Sequence, residues 1–262
     1  MKNILITAGG TSERIDNVRS VTNMSTGKLG RCIAEDFARR GQTRKIWYLC
    51  GKQAALPHTD KAEILPVEST ADLADAVTRL CARETIDVVV HAMAVSDYAV
   101  RAVSSAGVIA EEIERRVLQE GGPDTGQDAG RRIRSAAAEA MRAAPGYARD
   151  GKIPSNVDDL VIFMQRTPKI LPLFRALLPD AVLVGFKLLD GAAEGELIDV
   201  AFRLLQQNGC DFVLANDLKE ISGDRHAGYL LRRDKSHTAF TSKEEIARGI
   251  ADQTLAERER GK

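Results

Sequence analysis

Short apolar runs alternate with amphipathic stretches along the first part of the chain. Ile4–Thr7, Lys45–Cys50 and Val88–Val90 are nearly continuous apolar runs, as expected of strands that are buried on both faces. Between these runs, apolar residues recur at helical spacing over Gly27–Arg40 and Thr70–Arg83. This order predicts strand–helix–strand units whose strands run parallel.

The alternation returns after residue 160. We predict strands at Leu160–Phe163, Ala181–Phe186 and Phe212–Ala215. Helices that begin at Pro168 and Glu194 separate them. Together with the first part of the chain, these elements predict an α/β fold, namely a Rossmann-like, doubly wound and mostly parallel sheet.

Two features mark the limits of this predicted sheet. Glu63–Val67 is predicted to be a short strand, and Pro66 places it toward a sheet edge because proline cannot donate to a ladder. Later in the chain, Tyr229–Leu231 and Thr238–Thr241 predict a small C-terminal hairpin. A Ser-x-x-Glu capping box that starts at Ser242 then predicts the last helix.

Residues 100–150 interrupt the pattern. The segment is rich in Ala, Arg, Glu and Gly, and Ala110–Gln119 and Arg131–Arg142 have helical spacing on either side of a Gly-Gly-Pro turn at 121–123. We expect a helical insertion within a single domain that spans residues 1–262. The insertion either forms a lid or a subunit contact, or it is a solvated surface excursion.

Composition and charge argue against several function classes. Lys plus Arg equals Asp plus Glu, 37 of each, so no global basic field points to nucleic acid or to a membrane surface. No apolar run reaches the length of a transmembrane helix, and the N-terminus lacks the layout of a signal peptide, so we expect a cytoplasmic protein. The four cysteines form no CxxC pair, which favours reduced, buried thiols over zinc ligands.

Glycines and small residues follow the first predicted strand. Gly9 and Gly10 would let the backbone approach a ligand closely, although Gly-Gly is also common in ordinary tight turns. The segment Asn23–Lys28 then leads into the first predicted helix, whose free N–H groups favour an anion. The alternative is N-capping by Ser25 or Thr26, but the amide and the lysine at the ends of the segment favour phosphate binding.

Polar residues also follow three later predicted strands. Asp97 can bind magnesium or a polar ligand group, or it can cap nearby N–H groups. Phe186 and Lys187 can stack a base and neutralise phosphate, unless Phe186 belongs to the core. Asn216 closes the strand that begins at Phe212. Because ligands of an open α/β sheet bind at the carboxyl ends of its strands, these segments together predict one ligand site.

These segments together resemble the phosphopantothenate–cysteine ligase family, also called phosphopantothenoylcysteine synthetase. The matching segments occur in family order and span nearly the whole chain: Thr7–Glu13, Asp16–Asn23, Ser25–Gly30, Ala94–Tyr98, Thr167–Ile170, Gly185–Lys187 and Ala215–Asp217. The chain is similar to the stand-alone form of the family, which has no fused flavin-dependent decarboxylase domain.

The resemblance implies a two-step reaction in coenzyme A biosynthesis. The carboxylate of 4'-phosphopantothenate attacks the α-phosphorus of a nucleoside triphosphate, which gives an acyl-nucleotidyl intermediate and pyrophosphate. The amine of L-cysteine then attacks the activated carbonyl. The resemblance also implies Mg²⁺, CTP ahead of ATP as co-substrate, and a homodimer. The choice of nucleotide stays open, because Phe186 and Lys187 look closer to the eukaryotic-type and short stand-alone enzymes.

Individual residues receive roles from the same resemblance. Asn23 matches the asparagine that contacts phosphopantothenate and the acyl intermediate, and Ala92 and Ala94 lie in the matching substrate loop. Lys152 stands where the bifunctional bacterial enzymes carry a lysine-rich mobile flap, and is the candidate for closing over the intermediate. The remaining matches are nucleotide contacts, namely Gly9, Gly10, Thr11, Ser25, Gly27, Gly30, Asp97, Phe186, Lys187 and Asn216.

Two other classes of protein compete with this interpretation. A nicotinamide-dependent reductase would use a similar sheet, and Tyr48 and Lys52 have the spacing of a short-chain dehydrogenase pair. They lie too early in the chain for that role, and no acidic residue ends their strand to bind a ribose. A non-catalytic nucleotide-binding protein would keep the glycines but would not need Asn23 or Lys152.

Overall fold

The computed structural model describes residues 1–119, 127–222 and 225–260 of the 262-residue chain. In chain order its elements are β1 Lys2–Ala8, β2 Ser12–Arg14, β3 Ser20–Thr22, α1 Lys28–Arg39, β4 Thr43–Gly51, β5 Ala62–Val67, α2 Thr70–Cys81, β6 Val88–His91, β7 Tyr98–Ser105, α3 Ala106–Gln119, α4 Gln127–Ala143, β8 Leu160–Arg166, α5 Ile170–Leu177, β9 Val182–Leu189, α6 Glu194–Asn208, β10 Phe212–Asp217, β11 Ile221–Ser222, β12 Arg225–Arg232, β13 His237–Ser242 and α7 Lys243–Arg260. A 3₁₀ turn, Leu218–Glu220, follows β10.

The main sheet has the strand order β11-β12-β10-β9-β6-β1-β4-β5, with β13 on β12. The strands from β10 to β5 run parallel, and β12 joins them antiparallel. Among the parallel strands the chain winds outward in both directions from β1, so the predicted Rossmann-like, doubly wound sheet is confirmed. The predicted edge position of the strand with Pro66 and the C-terminal hairpin are confirmed as well.

Side chains alternate between two cores, one on each face of this sheet. Ile4 and Ile6 of β1 pack in the core covered by α1 and α7, where Phe37 and Ile250 are fully buried. Leu5 points to the opposite core, which α2, α5 and α6 cover. Continuous apolar runs appear in the central strands because both of their faces are buried.

The chain divides into two compact units. The first comprises Met1–Ser12, Thr22–Ser96 and Pro168–Lys262 and contains the main sheet. The second comprises Glu13–Val21 and Asp97–Thr167, so it extends beyond the predicted 100–150 insertion at both ends. No helix in the described part of the chain is long and apolar enough to span a membrane.

The second unit has its own small core. β7 and β8 form an antiparallel ribbon, and Val100, Val103 and Ile153 are buried beneath it. The two predicted helices are confirmed within α3 and α4, and the predicted turn at 121–123 lies outside the described residues. The expectation that Leu160–Phe163 belongs to the parallel sheet is wrong, because the segment forms β8, which pairs antiparallel with β7 and packs Leu160 and Ile162 against the small core of the second unit.

Candidate functional site

The loops after β1 and β6 meet where the sheet changes its winding direction. The backbone ladder continues past the ends of both strands, since Ala92 N donates to Thr7 O at 3.1 Å and Ala94 N donates to Gly9 O at 2.8 Å. Thr11 N then donates to Ala94 O at 3.1 Å. In a doubly wound sheet this switch point is where ligands bind. The backbones of Ala92 and Ala94 therefore form the floor of the predicted site.

Asn23 lies against this floor. Its backbone N–H donates to Thr11 O at 3.2 Å, and its side-chain Nδ2 donates to Ala94 O at 3.1 Å. The residue is half-buried, and its Oδ1 makes no hydrogen bond with the described residues. Since an amide can donate and accept at once, Asn23 holds the two loops together and still presents an acceptor.

Glycines let three chain segments approach one another beside Asn23. A Cβ on Gly10 would lie 2.2 Å from Asn23 O, and a Cβ on Gly9 would lie 2.7 Å from Ala54 Cβ. Gly9 also has φ +81°, in the left-handed region that favours glycine. The structure thus gives both glycines a packing role, and this role is compatible with a backbone that faces a ligand.

The N-terminus of α1 opens at the same edge without a side-chain cap. Its N-cap is Gly27, with φ +69°, and neither Ser25 nor Thr26 closes the helix: Lys28 N reaches Thr26 Oγ1 only at 3.5 Å. The first turn contains no acidic residue, and Lys28 is exposed. Free N–H groups, the helix dipole and a lysine all favour an anion here. The capping alternative is therefore not what the structure shows.

Gly30 and Thr11 act within the protein. A Cβ on Gly30 would lie 2.5 Å from Ala8 Cβ, so this glycine brings α1 close to β1. Thr11 is fully buried, and its hydroxyl bonds Ser96 Oγ at 3.0 Å and accepts from Ser96 N at 2.8 Å. These contacts order the loops that follow β1 and β6.

A buried histidine, His91, precedes Ala92 and is linked through Thr7 to the same backbone segment. His91 Nδ1 hydrogen-bonds Thr7 Oγ1 at 2.7 Å, and the same oxygen accepts from Met93 N at 3.3 Å. The ring meets Phe174 edge to face, with centroids 5.4 Å apart. Burial lowers the pKa of His91 to about 4, so the ring is neutral at pH 7. Sequence reasoning assigned it no role, because a histidine that ends an apolar strand gives no sign of its partner.

Phe186 and Lys187 lie inside β9 and not at its end. The strand was predicted to end at Phe186, but β9 continues to Leu189 and remains paired with β10 up to that residue. The other neighbour, β6, pairs with β9 only up to Val184. Phe186 is half-buried against the core of α1 and α7, and Lys187 is half-buried on the next position. The projecting end of β9 therefore carries both residues past the end of β6.

The last two residues of β10 are buried polar groups. Asn216 Nδ2 lies 3.1 Å from His226 Nε2. Asp217 accepts from Ala192 N at 2.7 Å and from Lys219 N at 2.9 Å, and these backbone donors hold its pKa below the ordinary value. The contact between Asn216 and His226 was missed, since it joins β10 to β12 across a turn whose length the sequence leaves open.

Asp97 and Lys152 belong to the second unit. Asp97 is exposed immediately before β7, where its carbonyl accepts from Thr167 N at 3.0 Å. Lys152 is exposed, but both of its neighbours are anchored. Asn17 N donates to Gly151 O at 3.2 Å. On the other side, Ile153 N donates to the Asp16 carboxylate at 3.1 Å.

The dehydrogenase-like pair is engaged in other contacts. Tyr48 is buried in the core, and its hydroxyl donates to Ala55 O at 2.8 Å. Burial raises the pKa of Tyr48, which makes it a poor proton donor. Lys52 instead pairs with Glu68 at 2.7 Å. Neither side chain is arranged as a catalytic acid and its partner.

Metal-ligating residues do not cluster in the described ranges. No group of three or more His, Cys, Asp or Glu side chains there is placed to hold a metal ion. All four cysteines are free; Cys50 and Cys210 are buried as predicted, whereas Cys32 and Cys81 are only partly buried.

Comparison with known proteins gives a consistent family assignment. Residues 1–119 and 110–257 match the model of the DNA/pantothenate metabolism flavoprotein C-terminal domain. The coenzyme A biosynthesis bifunctional protein CoaBC of Thermococcus kodakarensis is 30% identical over 233 residues, which cover 89% of this chain and 45% of that protein. The chain thus spans about half the length of the curated relatives it matches.

Solved structures agree with this assignment. The DNA/pantothenate metabolism flavoprotein from Streptococcus pneumoniae superposes with a TM-score of 0.77 at 30% identity, covering 98% of this chain and 99% of that one. A Cab2 mutant in complex with phosphopantothenate-cysteine has a TM-score of 0.65 at 17% identity, covering 98% of this chain and 89% of that one. The second likeness shows the fold alone.

Proposed function

This chain belongs to the DNA/pantothenate metabolism flavoprotein C-terminal domain family, and from that premise we propose that it is a phosphopantothenate–cysteine ligase. It joins 4'-phosphopantothenate to L-cysteine through an acyl-nucleotidyl intermediate, which yields 4'-phosphopantothenoylcysteine for coenzyme A biosynthesis. Relatives named for coenzyme A biosynthesis support the pathway, and the Cab2 complex with phosphopantothenate-cysteine supports the product.

The observation that carries the proposal is the position of Asn23 at the switch point. Its Nδ2 is bound to Ala94 O, and its Oδ1 remains an acceptor beside the open N-terminus of α1. An acid substrate and a triphosphate both bring negative charge to this edge of the sheet. The N–H groups of α1 stabilise charge on the phosphates as the carboxylate attacks the α-phosphorus.

Nucleotide recognition falls to the projecting ends of β9 and β10 in this proposal. Phe186 stacks on the base, Lys187 neutralises phosphate, and Asn216 contacts the nucleotide, with CTP preferred to ATP. Gly9, Gly10, Ser25 and Gly27 present backbone groups to the phosphates, while Gly30 and Thr11 support them from behind. This arrangement agrees with ligand binding at the carboxyl edge of a doubly wound sheet.

Other parts of the proposal concern the metal, the second unit and the assembly. Mg²⁺ bound to the nucleotide would neutralise charge on the transferred phosphorus, and Asp97 is the carboxylate we propose to hold it. Lys152 is proposed to contact the intermediate. We also propose that the protein works as a homodimer in the cytoplasm.

The direct test is product formation. The chain is incubated with 4'-phosphopantothenate, L-cysteine and either CTP or ATP, and both pyrophosphate and 4'-phosphopantothenoylcysteine are measured. We expect pyrophosphate to form with 4'-phosphopantothenate and the nucleotide, and the adduct to require L-cysteine as well. Absence of the adduct with both nucleotides, from folded protein, would contradict the proposal.

Asn23→Asp is the sharpest variant for this test. The carboxylate lacks the N–H that binds Ala94 O, and it repels both that carbonyl and an anionic intermediate. We expect adduct formation to fall by at least about tenfold, the equivalent of about 1.4 kcal/mol. Asn208→Asp is the matched control, because Asn208 is also half-buried and donates to a backbone carbonyl, Leu204 O, at 2.8 Å.

A further inference from the structure

A buried tyrosine of β4 lies beneath the N-terminus of α1. Tyr48 is fully buried, and its side chain belongs to the core of α1 and α7. Its hydroxyl donates to Ala55 O at 2.8 Å and lies 3.5 Å from the carbonyl oxygen of Gly27, the N-cap of α1. A Cβ on Gly30, in the first turn of that helix, would lie 3.5 Å from the same hydroxyl. The hydroxyl is therefore placed where the first turn of α1 meets the loop after β4.

The loop after β4 contacts the start of α1 from the other side. Ala55 N donates to Thr26 O at 2.9 Å, so Ala55 is bound both to the Tyr48 hydroxyl and to the residue before the N-cap. Ala54 packs against two glycines of the site: a Cβ on Gly27 would lie 2.9 Å from Ala54 Cβ, and a Cβ on Gly9 would lie 2.7 Å from it. The loop thus packs directly against the glycines that are proposed to present backbone groups to phosphate.

The N-terminus of α1 depends on these contacts because it lacks a side-chain cap. Its free N–H groups bind an anion well only while they point in one direction. A buried hydroxyl is costly unless it is hydrogen-bonded, and phenylalanine would fill the core equally well. A tyrosine at position 48 is therefore explained by its hydrogen bond. Burial raises the pKa of Tyr48, so the hydroxyl keeps its proton and remains a donor.

We propose that Tyr48 is a positioning residue that, through Ala55 and Thr26, holds the N-terminus of α1 in the direction that binds the phosphates of the nucleotide and of the pyrophosphate product. Donors that are already fixed in the binding geometry need no ordering when the ligand arrives, so affinity is higher. The hydroxyl itself is buried and contacts no ligand. The inference rests on the proposed function only in taking phosphates as the ligand of this helix N-terminus.

Tyr48→Phe tests the proposal, with inorganic pyrophosphate as the probe. Its affinity, measured by calorimetry well below the thermal midpoint, should fall about threefold to tenfold, as expected for the loss of one hydrogen bond. The KM for CTP should rise by a similar factor, while the KM for L-cysteine stays unchanged. Tyr229→Phe is the matched control, because the Tyr229 hydroxyl also makes one hydrogen bond, to Glu194 at 3.0 Å, but its ring packs on the opposite face of the sheet. This variant should bind pyrophosphate as the wild type does.

Ala54→Gly is a second variant that leaves the core untouched, since Ala54 is only half-buried in its loop. It removes the methyl group that packs against Gly9 and Gly27, so pyrophosphate should again bind more weakly.

Three results would overturn the inference: wild-type affinity for pyrophosphate in folded Tyr48→Phe, wild-type affinity in Ala54→Gly, or an equal loss of affinity in Tyr229→Phe. Calorimetry with pyrophosphate needs no turnover. A wild type that forms no adduct, but whose pyrophosphate binding depends on Tyr48, would contradict the ligase proposal and support this inference. An active wild type whose Tyr48→Phe variant binds pyrophosphate normally would contradict this inference alone.

Discussion

At the scale of single residues, Phe186 has two possible roles that one comparison separates. Phe186 and Phe240 are both half-buried against the core of α1 and α7. If Phe186 stacks on the base, Phe186→Ala should weaken nucleotide binding by about 1–3 kcal/mol. Phe240→Ala should lower thermal stability and leave the nucleotide KM unchanged. Equal KM values in the two variants would make Phe186 a core residue only.

Asp16 anchors the segment around Lys152, which the family resemblance matches to a mobile flap. Its carboxylate accepts from Val18 N, Arg19 N, Arg19 Nε, Arg19 Nη2 and Ile153 N. The hydrogen bond from the Arg19 side chain is the main cause that holds the pKa of Asp16 far below its ordinary value. Arg19 Nη2 also donates to Ile153 O at 2.9 Å, which closes the clamp.

Asp16→Asn should release this segment. The variant replaces one carboxylate oxygen by an N–H group and removes the charge that binds Arg19. We expect a lower thermal midpoint and faster hydrogen exchange at the Ile153 amide, because local opening becomes easier. Asp234→Asn is the control, since Asp234 accepts from nearby Ser236 in an exposed turn. Unchanged exchange at Ile153 would show that other contacts hold Lys152 in place.

Residue-scale reasoning from sequence found the switch-point residues but not their supports. Gly9 and Gly10 could be singled out because they follow a strongly apolar strand, and Asn23 because its segment leads into the first helix. The contacts of Asn216 with His226 and of Asp16 with Ile153 join residues that are distant in the sequence or across a turn. Local spacing holds no information on such partners, so the anchoring of the Lys152 segment could not be predicted.

At the scale of elements, the packing of α1 on β1 depends on Gly30. A Cβ there would come within 2.5 Å of Ala8 Cβ, so the helix or the strand would have to shift. We expect Gly30→Ala to destabilise the protein by about 1–3 kcal/mol, the usual cost of overpacking. It should also weaken nucleotide binding, because the N-terminus of α1 moves with the helix.

Gly195→Ala is the matched control for that prediction. Gly195 lies in the first turn of α6, and a Cβ there would meet nothing within 4 Å. Alanine in a helix should be neutral or stabilise the protein by up to about 1 kcal/mol. Chemical denaturation of the two variants compares them directly. Equal stability of the two would mean that α1 and β1 adjust without cost.

The prediction of strands from sequence succeeded where burial on both faces sets the apolar pattern. It failed where the choice of strand partner decides the position of a strand. The central strands β1, β4 and β6 were found within two residues of their limits because both faces are apolar. Leu160–Phe163 carries the same apolar signal, yet it forms β8 and pairs only with β7. The length of β9 was also underestimated at its carboxyl end, since the strand continues past Phe186 through polar residues such as Lys187.

At the scale of the whole molecule, buried neutral histidines make stability depend on pH. The pKa of His91 and the pKa of His226 are each lowered to about 4, mainly by burial. In the unfolded chain both return to about 6.5. Between these values the unfolded state binds more protons than the folded state, so the free energy of unfolding falls as pH falls. Their contribution is fully present above pH 6.5 and is lost toward pH 4.

Urea denaturation at a series of pH values from 7.5 to 4 should therefore show a progressive loss of stability, on the order of a few kcal/mol in total. Carboxylates with lowered pKa values, such as Asp217 and Glu245, add their loss of stability mainly below about pH 4.5, near the unfolded pKa values of Asp and Glu.

His91→Gln should reduce the loss of stability between pH 6.5 and pH 5, whereas His237→Gln, at an exposed position, should leave this loss unchanged. A free energy of unfolding that stays constant over this interval would mean that water or rearrangement lets the two rings ionise in place.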